Sequence, residues 1–225
     1  MNLYLNYFIP ENGKRKIELN KALEANIANR FIKKIIILSN DPVPFKSDKI
    51  EEYPIKGMPT YKDFFDLFEE DQINVLSNLD ISYNETIRHA ERLENRTAYC
   101  ITRHEIDAGG NLITFGAFHG KSAKPEWSQD TWIVRGKCKV DIPENATAQH
   151  TMTGQFKDIP FVMGVAGCDN LMAYYLKKKY VVKNPQTQIV CKHHHASQYR
   201  PQQVYRFTGA TSRWGVITHV SDFNL

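Results

Sequence analysis

Short apolar runs punctuate the chain at residues 3–9, 35–38 and 73–76, each bounded by polar residues and of a length that suits buried strands. Between the first two, Leu19, Ala22, Leu23, Ile27 and Phe31 recur at helical spacing, which predicts a helix over 17–31. Strand, helix and strand within about forty residues open a βαβ unit with a parallel sheet. The pattern further predicts an edge strand at 51–55, an amphipathic helix at 61–69 and a helix at 85–93. Strands are expected at 97–102, 112–115 and 131–134, with a loop over 116–129 between the last two. Residues 143–156, rich in Thr, Gln and Asn, read as loop or short helix. A helix at 170–178 follows, then strands at 180–182 and 188–190 around Asn184 and Pro185, and a tail beyond His195 with little periodicity. Nothing marks a linker or a repeat, so the pattern describes one α/β domain.

Composition narrows this only modestly. The 225 residues are 42% hydrophobic and 24% charged, ordinary for a soluble globular chain. A net charge of +4 favours an anionic small molecule or a phosphate. No Lys/Arg block with interleaved aromatics stands out, which argues against nucleic acid as a partner. Lys177, Lys178 and Lys179 suit a helix C-terminus, where cations meet the dipole favourably. Four cysteines, far apart and without CxxC spacing, fit a reduced cytoplasmic protein. The first ten residues do not read as a signal peptide, and no run is long enough for a membrane span.

Four constellations carry chemistry. The first follows the 73–76 run, where Ser77 and Asn78 turn the chain polar and Asp80 and Ser82 come next. A carboxylate at the C-terminal end of a buried strand projects into the crevice where open α/β sheets bind ligands. Its hydroxyl and amide neighbours suit hard divalent cations and phosphates. The structural alternative is a polar turn in which Asn84 caps the next helix.

The second constellation is Ser128-Gln129-Asp130-Thr131-Trp132, a mix of carboxylate, carboxamide and indole suited to a sugar; its alternative is a capping Asp and a core Trp. The third is 164–170, where Gly167 and Cys168 lead into Asp169 and Asn170 at a helix start. Asp169 is either a cap or, facing a cleft, a general base. The fourth is His193-His194-His195-Ala196-Ser197. Strand alternation sends His193 and His195 to one face and His194 to the other. Two imidazoles on one face can ligate a divalent metal or hydrogen-bond a diphosphate.

In order and spacing the chain resembles a GT-A fold glycosyltransferase. The residues that carry the likeness are Asn78-Leu79-Asp80-Ile81-Ser82, Gly167-Cys168-Asp169-Asn170, Tyr180-Val181-Val182-Lys183-Asn184-Pro185 and His193-His194-His195, over roughly residues 1 to 200. More narrowly it is similar to the small glycosyltransferase domains of large algal viruses and some bacteria, through Ser128-Gln129-Asp130-Thr131-Trp132, Gly167-Cys168-Asp169-Asn170 and His193-His194-His195-Ala196-Ser197. It departs from that pattern at the residue before Asp80, and Ser82 stands where a second carboxylate would be.

The resemblance implies a GT-A-like fold, with a Rossmann-like mixed central sheet flanked by helices in one domain over 1–225. About 1–105 would hold the nucleotide and about 106–200 the acceptor and catalytic groups, with 201–225 a C-terminal tail. It implies transfer of a hexosyl or deoxyhexosyl group from a nucleotide sugar, of the UDP class, to a glycan acceptor. The setting would be the cytoplasm, that of a host cell if the source is viral. Mn2+ or Mg2+ would sit at Asp80, with Ser82, His193 and His195 as further partners. Asp169 would be the base of an inverting reaction. Asp130 and Gln129, Trp132, Gly167 and Asn170 would line the catalytic and sugar side. Tyr7, Phe8, Lys56, Thr60, Tyr61, Asn78 and Arg103 would face the nucleotide, with Arg103 on the diphosphate. Two other readings compete. A nucleotidyltransferase would normally show a richer Gly and Arg/Lys loop than 6–15 offers, and an inactive sugar-binding module would explain the missing acid at Ser82.

Overall fold

The computed structural model describes residues 1–107, 109–120, 128–142, 147–152, 155–160, 162–163, 168–197 and 218–219, and for some of these the backbone alone. The chain opens with β1 (Asn2–Tyr7), α1 (Gly13–Ala28), β2 (Lys34–Ser39), β3 (Ile50–Pro54), α2 (Tyr61–Leu67) and β4 (Ile73–Ser77). A short β5 (Ile81–Tyr83) and a 3-10 helix (Glu85–Arg92) lead to β6 (Thr97–Thr102) and β7 (His104–Ile106). β8 (Leu112–Thr114), α3 (Phe115–His119), β9 (Gln129–Arg135), β10 (Thr147–Met152) and β11 (Gln155–Pro160) follow. The chain closes with α4 (Cys168–Lys177), β12 (Val181–Asn184), β13 (Cys191–His193) and β14 (Thr218–His219).

The main sheet runs β14-β12-β6-β9-β4-β1-β2-β3. Every pairing in it is parallel except those of β9, which runs against both β4 and β6. The fold is therefore mixed α/β, as a GT-A-like single domain requires. Because successive side chains alternate, each strand feeds two cores. Leu3, Leu5, Ile35, Ile37, Val75, Ile101 and Ile133 pack with Leu19 and Leu23 of α1 and Ile87 of the 3-10 helix. Tyr4, Ile36, Leu38, Leu76, Cys100, Trp132 and Val134 pack on the other side with Phe64 and Phe65 of α2 and Met172 and Leu176 of α4. Both faces are covered, which explains why these strands read as continuous apolar runs.

A second sheet, β5-β13-β7-β8, builds the floor of the site. Its strands have three residues each, too few to show a period in sequence. β5 is held from behind by α1. Asn26 donates to the Ile81 carbonyl at 2.8 Å and accepts from the Tyr83 amide at 3.1 Å, and Asn29 donates to the Tyr83 carbonyl at 3.0 Å.

Several local expectations are corrected. Asn12 caps α1 by accepting from the Arg15 amide, so the helix starts at Gly13 rather than at residue 17, and it stops at Ala28. β1 ends at Tyr7, leaving Phe8 outside it and 42% exposed. The 116–129 span holds most of α3 and the first residue of β9 instead of loop throughout. The 143–156 span contributes to an antiparallel β10–β11 pair where loop or helix was expected, since cross-strand pairing overrides a composition that reads as loop. The strand expected at 188–190 lies at Cys191–His193, because pairing with β5 and β7 fixes the register. In the tail, Thr218–His219 pairs in parallel with β12. All four cysteines are free. Among the described residues, no helix is long and apolar enough to cross a membrane.

Candidate functional site

β4 ends at Ser77 at the C-terminal edge of the parallel strands, and the chain turns through Asn78 and Leu79 to Asp80 before entering β5. β13 pairs antiparallel with β5, setting His193 opposite Ile81 and Lys192 opposite Ser82. The His194 amide donates to the Asp80 carbonyl at 2.8 Å, which fixes the histidine segment beside the turn. β7, parallel to β13, brings Glu105 to the other side of His193.

The result is a buried chain of charges. The Asp80 Oδ2 atom accepts from the Arg15 guanidinium and from His193 Nε2, the latter at 3.1 Å. His193 Nδ1 donates to Glu105 Oε2 at 2.7 Å. Arg103 bonds Glu105 Oε1 at 2.6 Å and Asp130 Oδ2 at 3.1 Å. Asp130 also accepts from Asn78 at 2.6 Å, through Oδ1, and from Ser128 at 3.1 Å. One continuous string, Arg15–Asp80–His193–Glu105–Arg103–Asp130–Asn78, thus joins two of the four constellations to a third.

Each charge is set by its neighbours. Burial alone would raise the Asp80 carboxyl, but His193 and Arg15 together hold it far below the usual carboxylate range. Glu105 is likewise raised by burial and brought well below its ordinary value by His193 and Arg103. Burial pulls His193 down, yet Asp80 and Glu105 outweigh it and lift the imidazole from 6.5 to about 9. With both ring nitrogens on carboxylates, His193 is an imidazolium at neutral pH. His194 is the opposite case. Burial, aided by Lys192, lowers it to about 4, and its Nε2 shares a 2.8 Å hydrogen bond with Ser82 Oγ.

A carboxylate oxygen of Asp80 and ring nitrogens of His193 and His195 lie within 4.8 Å of one another. The His193 and His195 rings meet edge to face at 5.1 Å. This group could hold a metal ion. Asp80 Oδ1 is buried and has no hydrogen-bond partner among the described residues, which an oxygen-seeking cation would supply. His195 adds an imidazole, a nitrogen donor more typical of transition-metal sites than of Mg2+. His193 could join only by giving up a carboxylate contact. Ser82 is committed to His194.

The remaining expected site residues divide by what they touch. Tyr7 is buried and donates to Asn20 at 3.2 Å, so its ring belongs to the core and not to a ligand face. Phe8 and Lys56 are exposed. Thr60 caps α2 in a reciprocal box with Asp63, and Tyr61 is buried edge-on against Trp132, with ring centroids 5.2 Å apart. Trp132 lies in the core, with its Nε1 buried and unpartnered among the described residues. Gln129 is fully buried on β9. Asp169 is half-buried in the first turn of α4. Gly167 lies outside the described residues, and Asn170 is placed only as part of the α4 backbone.

Three residues of this string and its supports were not singled out in sequence. Arg15 and Glu18 share a face of α1 by their spacing, but their partners are Asp80, the His194 carbonyl and Ser197, far along the chain. Glu105 stands two residues from Arg103, so alternation could have paired them on one face. Nothing local pointed to His193 as the partner of Glu105.

No family model matches the chain, and no curated protein matches it. Among solved structures it is similar to that of residues 1–349 of S. aureus TarS, with 9% identity and a TM-score of 0.45. The match covers 91% of this chain, which spans 58% of the other.

Proposed function

We propose that the chain is a glycosyltransferase that moves a sugar from a nucleotide-sugar donor, of the uridine diphosphate class, to a glycan acceptor, with a divalent ion held at Asp80 and His195. The observation that carries this reading is the state of Asp80. It is buried at the C-terminal edge of the parallel strands, locked through one oxygen, and left with the other oxygen unpartnered beside two imidazoles. That is how a monodentate cation ligand is prepared. A Mn2+ or Mg2+ ion there would supply Lewis-acid neutralisation of the leaving diphosphate.

The chain's own residues do the rest. Arg15 and His193 fix the Asp80 rotamer and add positive charge where negative charge develops on the leaving group. Arg103 is tied to two carboxylates, so its main effect is to hold Glu105 and Asp130 in place, and through Glu105 to keep His193 charged. Asp130 in turn orients Asn78. Phe8 and Lys56, exposed past the ends of β1 and β3, offer a ring and a cation for the nucleotide. Asp169, in the first turn of α4, takes the proton of the acceptor hydroxyl as that oxygen attacks the anomeric carbon with inversion.

Donor hydrolysis, assayed with and without added Mn2+, tests the reading. Metal-dependent release of a nucleoside diphosphate is expected. A full screen of nucleotide sugars with Mn2+ and Mg2+ that neither turns over nor raises the melting temperature would overturn it. Asp169→Asn separates a base from an acid that only complements the helix dipole, since Asn keeps the size of Asp but cannot accept a proton. Transfer should fall by about 10²–10⁴ with the melting temperature little changed. Near-normal turnover would leave Asp169 a partner of the helix dipole.

A further inference from the structure

Arg15 is placed where a metal site would not ordinarily tolerate a cation. Its side chain is largely buried, and both arms of the guanidinium are in use. One arm bonds Asp80 Oδ2, while the other donates to the His194 carbonyl at 2.7 Å and to Glu18 Oε2 at 3.2 Å. Glu18 is itself pinned, accepting from the amide and the hydroxyl of Ser197. Arg15 therefore cannot swing away without breaking contacts on three elements. A guanidinium does not lose its proton at any working pH, so the charge is permanent. A fixed guanidinium thus already sits on one oxygen of Asp80.

We infer that Arg15 is a built-in counter-charge that keeps the cation site weak until an anionic diphosphate joins it. The inference rests on the proposal that Asp80 binds a divalent ion. The argument is electrostatic. An ion approaching Oδ1 gains from one carboxylate and is opposed by the fixed guanidinium of Arg15 in a buried site, where charges act strongly. A nucleoside diphosphate brings the missing negative charge, so ion and nucleotide bind together rather than in sequence.

The test is a Mn2+ titration followed by electron paramagnetic resonance, without nucleotide and then with UDP. Without nucleotide, Arg15→Gln and Arg15→Met should bind Mn2+ tenfold or more tightly than the parent, and Arg15→Lys, which keeps the charge, should stay near it. With UDP present the gap should narrow. Glu18→Gln keeps Arg15 but removes its second carboxylate, and should weaken Mn2+ several-fold; it serves as the readout if the neutral Arg15 variants do not fold. Binding that depends on Asp80 but is unchanged or weaker in the neutral variants, or unchanged or tighter in Glu18→Gln, would overturn the inference and leave the metal site standing. Absence of any binding sensitive to Asp80→Asn, with or without UDP, would overturn both.

Discussion

Asp80 and Asp130 are both buried carboxylates, both sit beside an arginine, and both lie at the same edge of the main sheet. They differ in what is left over. Asp130 spends both oxygens, one on Asn78 and one on Arg103 and Ser128. Asp80 crowds Arg15 and His193 onto one oxygen and keeps the other bare. A buried acid with both oxygens engaged holds structure together, whereas one with a buried oxygen unpaired among the described residues has room for a further partner. The resemblance alone would have given the two acids comparable standing; the hydrogen bonds rank them.

The comparison is broken most severely by removing either charge. Asp130→Ala leaves Arg103 leaning on Glu105 alone, and removing one partner of a buried ion pair costs roughly 3–5 kcal/mol. For a chain of this size that is a fall in melting temperature of roughly 6–20 °C. Asp80→Ala should be similar in stability, because Arg15 and His193 then share no acid. The two should separate only in ligand binding, where Asp80→Ala loses Mn2+-dependent nucleotide affinity and Asp130→Ala retains it. A scanning calorimetry run beside a nucleotide titration reads both. Equal loss of metal-dependent affinity, at equal residual folding, would erase the distinction.

A smaller effect comes from the two adjacent histidines. His193 has a folded pKa raised from 6.5 to about 9. Its contribution is complete below the unfolded value and is lost as pH rises from about 6.5 through 9. The shift corresponds to a few kcal/mol at most. His194 runs the other way: its folded value is lowered to about 4, so stability is lost as pH falls below 6.5 toward 4. Denaturant midpoints of His193→Gln, measured in the absence of metal, should lose the alkaline slope relative to the parent and keep the acid one. An unchanged alkaline slope would show that His193 is not the charged member of the string.

Smallest of all should be Ser82→Ala. It removes one hydrogen bond to His194 Nε2, worth about 1 kcal/mol, and leaves Asp80 and His193 where they are. Nucleotide affinity with Mn2+ should stay within a few-fold of the parent. A loss as large as that of Asp80→Ala would return Ser82 to the metal site.

Much of the fold was legible because its strands are buried on both faces. The runs at 35–38 and 73–76 could hardly be anything else, and α2 showed its aromatic stripe plainly. What escaped was structure made by distant pairing. β5 and β7, three residues each, exist because β13 lies between them, and no local pattern announces that. The site shows the same divide. Asp80, His193 and His195 could be picked out from a strand end and a period of two. Arg15, Glu18 and Glu105 could not, because their roles depend on contacts 65 to 179 residues away. Tyr7, Thr60 and Tyr61 illustrate the converse: their side chains contact the core and a helix start, which composition cannot tell from a ligand face.

The central claim is that the bare oxygen of Asp80 receives a divalent ion together with a nucleoside diphosphate. An isothermal titration of UDP into the protein, with Mn2+ and then with EDTA, tests it directly when repeated on Asp80→Asn. The account predicts binding in the parent that requires Mn2+, and its loss in a variant that still unfolds cooperatively. Mn2+-dependent affinity that survives in folded Asp80→Asn would contradict it.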